Sequence, residues 1–394
     1  MGKYAFRLLM IILPFMNIIS HRINESAGIY ILLGLYIISF VFSRPHKIKD
    51  KNGKHMMRFC ISCALFVIVY AIVAFYLGIN NLYDIRFFGL FLLLLPFLLK
   101  KNAVDFYYND LSGYLKYLIV LLTASIALGT VLISIGLLEL EPMYDPEQYS
   151  YWGRPYGLFG QPSVNSTLLC FFYVFYDSLN INKQKENKLL FVIITIGVLL
   201  QRSGSGFISY FFVLLLKYGL PKKKNIRKIP TKFIFLGIFL LIIFIGIVLS
   251  NRVNKISLNY MIELSEFSYE ELWMPYLASI RSPYYIYFGI PDVGTDVGID
   301  LGPLFVVVRV GLLFFIFLSF FFFYLIKKSK QISMKFAIIL LLVGNLHYPV
   351  MFYFVMSFIW FFITYHIMVG YYEKFNSCSV VNIQPQSTLP KGAN

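Results

Sequence analysis

The feature that most constrains this chain is a succession of long, uninterrupted apolar runs. At about 1.5 Å of rise per helical residue, a run of about 20 residues crosses a bilayer. Runs that reach or approach that length fall at 4–20, 27–43, 57–78, 85–99, 114–138, 156–178, 188–201, 205–219, 232–250, 302–326, 336–349 and 350–370. They are continuous rather than alternating, which argues for helices and against a transmembrane β-barrel. Only 14% of the 394 residues are charged, whereas a soluble domain carries about a quarter. Lipid must therefore be the solvent for much of the surface, and the same composition excludes a disordered chain. The expected fold is an all-α polytopic membrane protein with about 12 transmembrane helices. It forms one domain over 1–375, followed by a polar tail, 376–394, that reads as disordered. The pairs 188–201/205–219 and 336–349/350–370 are short for full spans and read as tilted, broken or re-entrant helices. The first apolar run lacks a small-x-small cleavage site and is followed at once by another, so it reads as an uncleaved first helix.

Charge gives the orientation. With the N-terminus in the cytoplasm, successive loops alternate sides, and 27 of the 35 basic residues fall on the cytoplasmic side. They include the 44–58 loop, the 217–232 loop, Lys327 and Lys328. Every strongly basic loop lands on that face, as the positive-inside rule requires, so both termini are expected in the cytoplasm. The net charge of +16 is then a topology signal and does not imply a nucleic-acid partner. The two sides also differ in kind: 23 of the 27 inner cations are lysine, whereas seven of the eight outer ones are arginine. Those are Arg22, Arg86, Arg154, Arg202, Arg252, Arg281 and Arg309. Arginine offers a planar, bidentate donor suited to phosphate, carboxylate or sugar, although some of these residues would serve simply as interfacial snorkels. Two outer loops are long, 139–155 and 251–301, and loops of that size carry recognition.

Five stretches hold candidate chemistry. In Arg154–Asn165, Gly157, Gly160 and two prolines permit an irregular entry into the membrane, where freed N–H groups can meet an anion or hydroxyls. In Gln201–Gly206, a charged residue between two short apolar runs implies a tight turn or a broken helix. Arg202 there reads as an anion ligand or as a hairpin cap, and Gly204 and Gly206 allow a second helix or a phosphate to come close. Arg281 lies among tyrosines that offer stacking faces, ahead of Asp292, Asp296 and Asp300, which read as solvated loop acids or, as the lesser alternative, as a general base. Arg309 falls inside an apolar run, either as a functional cation or snorkelling outward. His347 and Tyr348, before Pro349, interrupt a late apolar segment, and a lone histidine there reads either as a satisfied structural residue or as a group that takes a proton near neutral pH. No HExxH or His/Cys cluster is present, so no metal or other cofactor is expected. Cys60 and Cys63, one helical turn apart, read as packing residues.

In order, these pieces resemble the O-antigen polymerase (Wzy-type) family, related to the O-antigen ligases. The resemblance covers most of the chain: the dozen spans, the entry Arg154-x-x-Gly157-x-Phe159 with Pro162 and Asn165, and the Arg202-Ser203-Gly204 turn. It continues with Arg281 in a long outer loop and Leu346-His347-Tyr348 before a final aromatic span. Related ligases often have the order Ser-Arg-Gly at the turn. The resemblance implies a metal-independent glycosyltransferase acting at the periplasmic face of the bacterial inner membrane in lipopolysaccharide biosynthesis. Its substrate would be an undecaprenyl-pyrophosphate-linked oligosaccharide, and a chain-length regulator would be a partner. His347 would accept the acceptor hydroxyl proton, with Arg281 beside it in catalysis. Arg154, Gly157, Arg202, Arg309 and Tyr348 would bind substrate. An O-antigen ligase, or a flippase for lipid-linked oligosaccharide, are the competing readings.

Overall fold

The computed structural model describes residues 1–16, 19, 25–46, 51–79, 100–136, 157–180, 188–219, 270, 274, 278, 280, 282–290, 302–346, 350 and 354–370. Among these the secondary structure is helical, apart from one isolated bridge between Pro45 and Lys100. The helices are α1 (Gly2–Ile12), α2 (Glu25–Val41), α3 (Lys51–Tyr76), α4 (Lys101–Asn109), α5 (Leu111–Ser134) and α6 (Pro162–Leu179). They continue with α7 (Lys188–Gln201), α8 (Gly204–Leu214), α9 (Pro283–Phe288), α10 (Gly302–Lys328), α11 (Ile332–Asn345) and α12 (Phe354–Tyr365). α8 and α12 each run on into a π-helical turn, Leu215–Gly219 and His366–Gly370.

Three helical segments among the described residues are long and apolar enough to cross a membrane: Lys51–Tyr76, Leu111–Ser134 and Phe305–Lys328. Their apolar residues are not confined to the core, since Leu65, Val69, Ile72 and Phe75 of α3 point outward and are exposed. A water-soluble helix would place polar residues there, so the outward faces fit a hydrocarbon solvent. The chain is an all-α membrane protein. The spans expected at 85–99 and 232–250, most of both long loops and the tail lie outside the described residues.

α6 is the central post. Only Pro162, Ser163, Tyr176 and Asp177, near its two ends, are not buried, and α5, α7, α8 and α11 pack around it. Small residues permit that crowding. A Cβ at Gly206 of α8 would collide with Ser166, and one at Gly344 of α11 with Thr167, so both neighbours approach α6 at nearly backbone distance.

A second contact pairs α3 with α10 through aromatic rings. Phe59 stacks on Tyr324 with centroids 4.6 Å apart, Phe66 stacks on Phe317 at 4.2 Å, and Tyr70 meets Phe314 at 5.4 Å. One index rises as the other falls, so the two helices run antiparallel. Stacked and tilted rings of this kind add directionality to otherwise non-specific apolar packing.

The alternation of helix direction separates two ends. At one, Asn180 at the end of α6 donates to Ser112 near the start of α5 (3.0 Å), and Lys217 beyond α8 sits 3.5 Å from the Phe191 ring near the start of α7. Lys51, Lys116, Lys188, Lys217, Lys327 and Lys328 belong to this end. It is also clamped by polar contacts. Arg7 of α1 grips Asp110 with both Nε and Nη2 at 2.8–2.9 Å. Buried His366 is hydrogen-bonded on both ring nitrogens, to Tyr107 of α4 at 2.5 Å and to Gln331 at 3.1 Å. α4 itself was not expected from the apolar runs, because its sequence is mostly polar and only one face packs inward.

Candidate functional site

The opposite end is built differently. The chain enters α6 through Gly157 and Gly160, both in the left-handed region at φ 59° and 78°. Gln161 is extended and Pro162 opens the helix, a position where its missing N–H is not needed. This is the irregular entry the glycines and prolines predict, and α6 accordingly starts at Pro162 rather than at 156. Asn165, fully buried, holds the entry in place. Its Oδ1 accepts from the Phe159 N–H (3.1 Å) and its Nδ2 reaches the Gln201 Oε1 at 3.4 Å. A Cβ on Gly157 would lie 2.6 Å from that Asn165 nitrogen. Glycine at 157 thus supplies both the backbone angle and the room.

Gln201 ends α7, and the chain reverses in two residues before α8. Arg202 occupies the left-handed region at φ 50°, the one non-glycine to do so among the described residues. That conformation is uncommon for a side chain with a Cβ and is tolerated where surrounding structure imposes it. It leaves the Arg202 side chain exposed. Ser203 caps α8 by accepting from the Gly206 N–H, and its hydroxyl also contacts those of Ser163 (3.0 Å) and Ser205 (3.1 Å). Deeper in, the Thr167 and Ser209 hydroxyls meet at 3.3 Å. The C-terminus of α11 joins the same end, where buried Asn345 has its carbonyl against Gly302, the first residue of α10. A belt of amide and hydroxyl groups thus runs from α6 to α7, α8 and α11, with Arg202 at its rim.

Arg309 lies in the first turns of α10 and is half-buried, its guanidinium 5.8 Å from the Phe305 ring. α10 is broken two residues later, at Gly311 (φ 79°, ψ 166°). The apolar run gave no sign of this break. Arg154, Arg281, His347 and Tyr348 lie outside the described residues. In sequence, Arg154 precedes Gly157 by three residues, His347 follows Asn345 by two, and Arg281 directly precedes the Ser282 cap of α9.

Asn165 and Gln201 bond to each other and Ser209 to Thr167 across the bundle; Asn165 and Gln201 fall in stretches that the sequence singles out, but no local pattern announces these pairings. The legible signal for the pairing is that these are polar residues in otherwise apolar helices, which in a membrane need partners. What the described part of this end presents outward is the exposed Arg202 guanidinium with the half-buried Ser163 and Ser205 hydroxyls, while the Asn165 and Gln201 amides are buried and bonded to each other. Among the described residues no group of three or more His, Cys, Asp or Glu is placed to hold a metal ion. Such a surface suits a ligand carrying negative charge together with many hydroxyls. No family model, curated protein or solved structure matches this chain.

Proposed function

We propose that the chain is a polymerase of undecaprenyl-pyrophosphate-linked O-antigen repeat units, working at the periplasmic face of the bacterial inner membrane. The observation that carries this reading is the amide-and-hydroxyl belt with Arg202 at its rim, at the end of the bundle opposite the lysines. If the lysine end is cytoplasmic, as lysine-rich loops normally are, the belt faces the periplasm. On this reading the chain crosses the membrane about 12 times, with both termini in the cytoplasm.

The chemistry follows from the substrate. A lipid-linked pyrophosphate stays at the membrane surface, and its glycan extends into water. A hydroxyl oxygen of the acceptor sugar attacks the anomeric carbon of the donor glycan. The bond from that carbon to the pyrophosphate oxygen breaks, and undecaprenyl pyrophosphate leaves with the electron pair. Arginines at the surface, Arg154, Arg202 and Arg281, bind the pyrophosphate and stabilise the charge that grows on it. His347 takes the proton of the attacking hydroxyl. Covalent reach keeps Arg154 and His347 near this end, since three residues from Gly157 and two from Asn345 span at most about 7–11 Å. Arg309 and Tyr348 complete substrate binding, the half-buried Ser163 and Ser205 hydroxyls near Arg202 offer partners for sugar hydroxyls, and the buried belt behind them holds the rim in place.

The test is the purified chain in lipid, supplied with undecaprenyl-pyrophosphate-linked repeat units and no added metal. Lengthened lipid-linked glycans with release of undecaprenyl pyrophosphate are expected. Transfer only to added lipid A-core would make the protein a ligase. Movement of repeat units across the bilayer with no bond formed would make it a flippase.

A further inference from the structure

We infer that Tyr70 of α3 is a positioning residue for Arg309, because its hydroxyl holds open the break in α10. The break removes the normal helical partners of carbonyls just before Gly311. In a membrane interior those carbonyls need other donors, and an unmade bond there costs several times what it would in water. Two such donors come from outside the helix. The Ile290 N–H, in the segment after α9, donates to the Val308 carbonyl at 2.8 Å. The Tyr70 hydroxyl donates to the Val310 carbonyl and also lies 3.1 Å from the Phe288 carbonyl at the end of α9. Arg309 is the residue between those two re-partnered carbonyls.

Glycine makes the break possible. Gly311 takes a left-handed backbone, and a Cβ there would run into the Tyr287 carbonyl of α9. Gly289, at φ 90°, similarly lies against the Arg309 carbonyl, where a Cβ would come within 2.5 Å of the oxygen. The end of α9 therefore inserts into the notch that the break opens. Tyr70 is the post on the other side, buried and tilted against Phe288 and Phe314 with centroids 5.4 Å away in each case. Its ring needs only apolar neighbours, but its hydroxyl ties three segments together: α3, the end of α9 and the first part of α10. A straightened α10 would turn Arg309 onto another face, since each residue added to a helix rotates by about 100°.

Tyr70→Phe tests this, because it keeps the ring and removes only the donor. The first readout does not depend on any activity: amide hydrogen exchange of the 283–290 segment in the full chain in lipid. Exchange at Ile290 is expected to quicken several-fold, as the notch loosens. Gly311→Ala is expected to do the same by another route. Unchanged exchange in Tyr70→Phe would overturn the inference. The second readout rests on the proposed function, through polymerisation of lipid-linked repeats. Tyr70→Phe should lower kcat/KM about tenfold in the natural chain and leave it unchanged in Arg309→Ala, the non-additivity expected of residues acting as one unit. Independent, multiplying losses would show that Tyr70 does not act through Arg309. Wild-type chain that makes no polymer would defeat the proposed function, and the exchange measurement would still decide the role of Tyr70.

Discussion

Arg202 is where backbone and side chain make opposite demands. A left-handed φ of 50° suits glycine, and holding arginine there costs about 1 kcal/mol or more. Arg202→Gly should therefore leave the fold as stable as before, or more stable by up to about 1 kcal/mol, while the polymerisation we propose falls at least tenfold. Thermal unfolding in detergent, set beside an assay of chain extension, checks both halves. Arg202→Lys should recover little activity, because a single ammonium cannot form the paired hydrogen bonds a guanidinium makes to phosphate. Asn165 presents the opposite case, a residue whose work is wholly internal. Asn165→Ala removes the bonds to the Phe159 N–H and the Gln201 Oε1 in a dry site, where losing the partner of a buried polar group costs about 1–3 kcal/mol. Its unfolding midpoint should drop more than that of any substitution at the exposed rim. The sequence signalled Arg202 because a charge between two apolar runs is conspicuous. It was silent on how Asn165 is held, because that depends on Gln201, 36 residues away.

Helices were legible wherever lipid alone dictates the pattern. The run at 188–201 coincides with α7, and the runs at 114–138 and 302–326 differ from α5 and α10 by four residues or fewer at each end. Hydropathy could not show the break at Gly311, since one glycine in an apolar run looks the same whether the helix is straight or notched. Nor could it show α4, whose inward face is set by α1 and α5 rather than by lipid. Close packing on α6 was partly legible. Gly206 admits Ser166 as the glycines of that turn predict, whereas Gly204 faces open space. Gly344→Leu should separate α11 from α6 and destabilise the bundle by about 1–3 kcal/mol, the range for overpacking a filled contact. A lower unfolding temperature with reduced yield of folded protein is the expected result. His366→Ala should also destabilise, by removing the link from α4 to the end of α12. Because that link lies at the lysine end, the Km for lipid-linked substrate should not change, and titrating substrate against the variant shows whether it does.

Over the whole molecule, the two ends of the bundle have different chemistry. Lysines, an Arg7–Asp110 ion pair and a buried Tyr107–His366–Gln331 contact mark one. Amides, hydroxyls and exposed Arg202 mark the other, with Arg309 near the break. The charge pattern of the sequence anticipates one side of this division among the described residues: Lys51, Lys217, Lys327 and Lys328, which it puts on one face, share one end of the bundle. It does not fix the chemistry of the site, which depends on which residues of four separate helices meet. The central claim is that the arginine-bearing end polymerises lipid-linked repeat units, and a lipopolysaccharide gel tests it most directly. A strain deleted for this gene is complemented with wild type, His347→Ala, Arg281→Ala or Arg202→Gly. The account predicts lipid A-core carrying a single repeat unit in the deletion, a full ladder with wild type, and no ladder with the three variants. Loss of even the single-unit band in the deletion would contradict it.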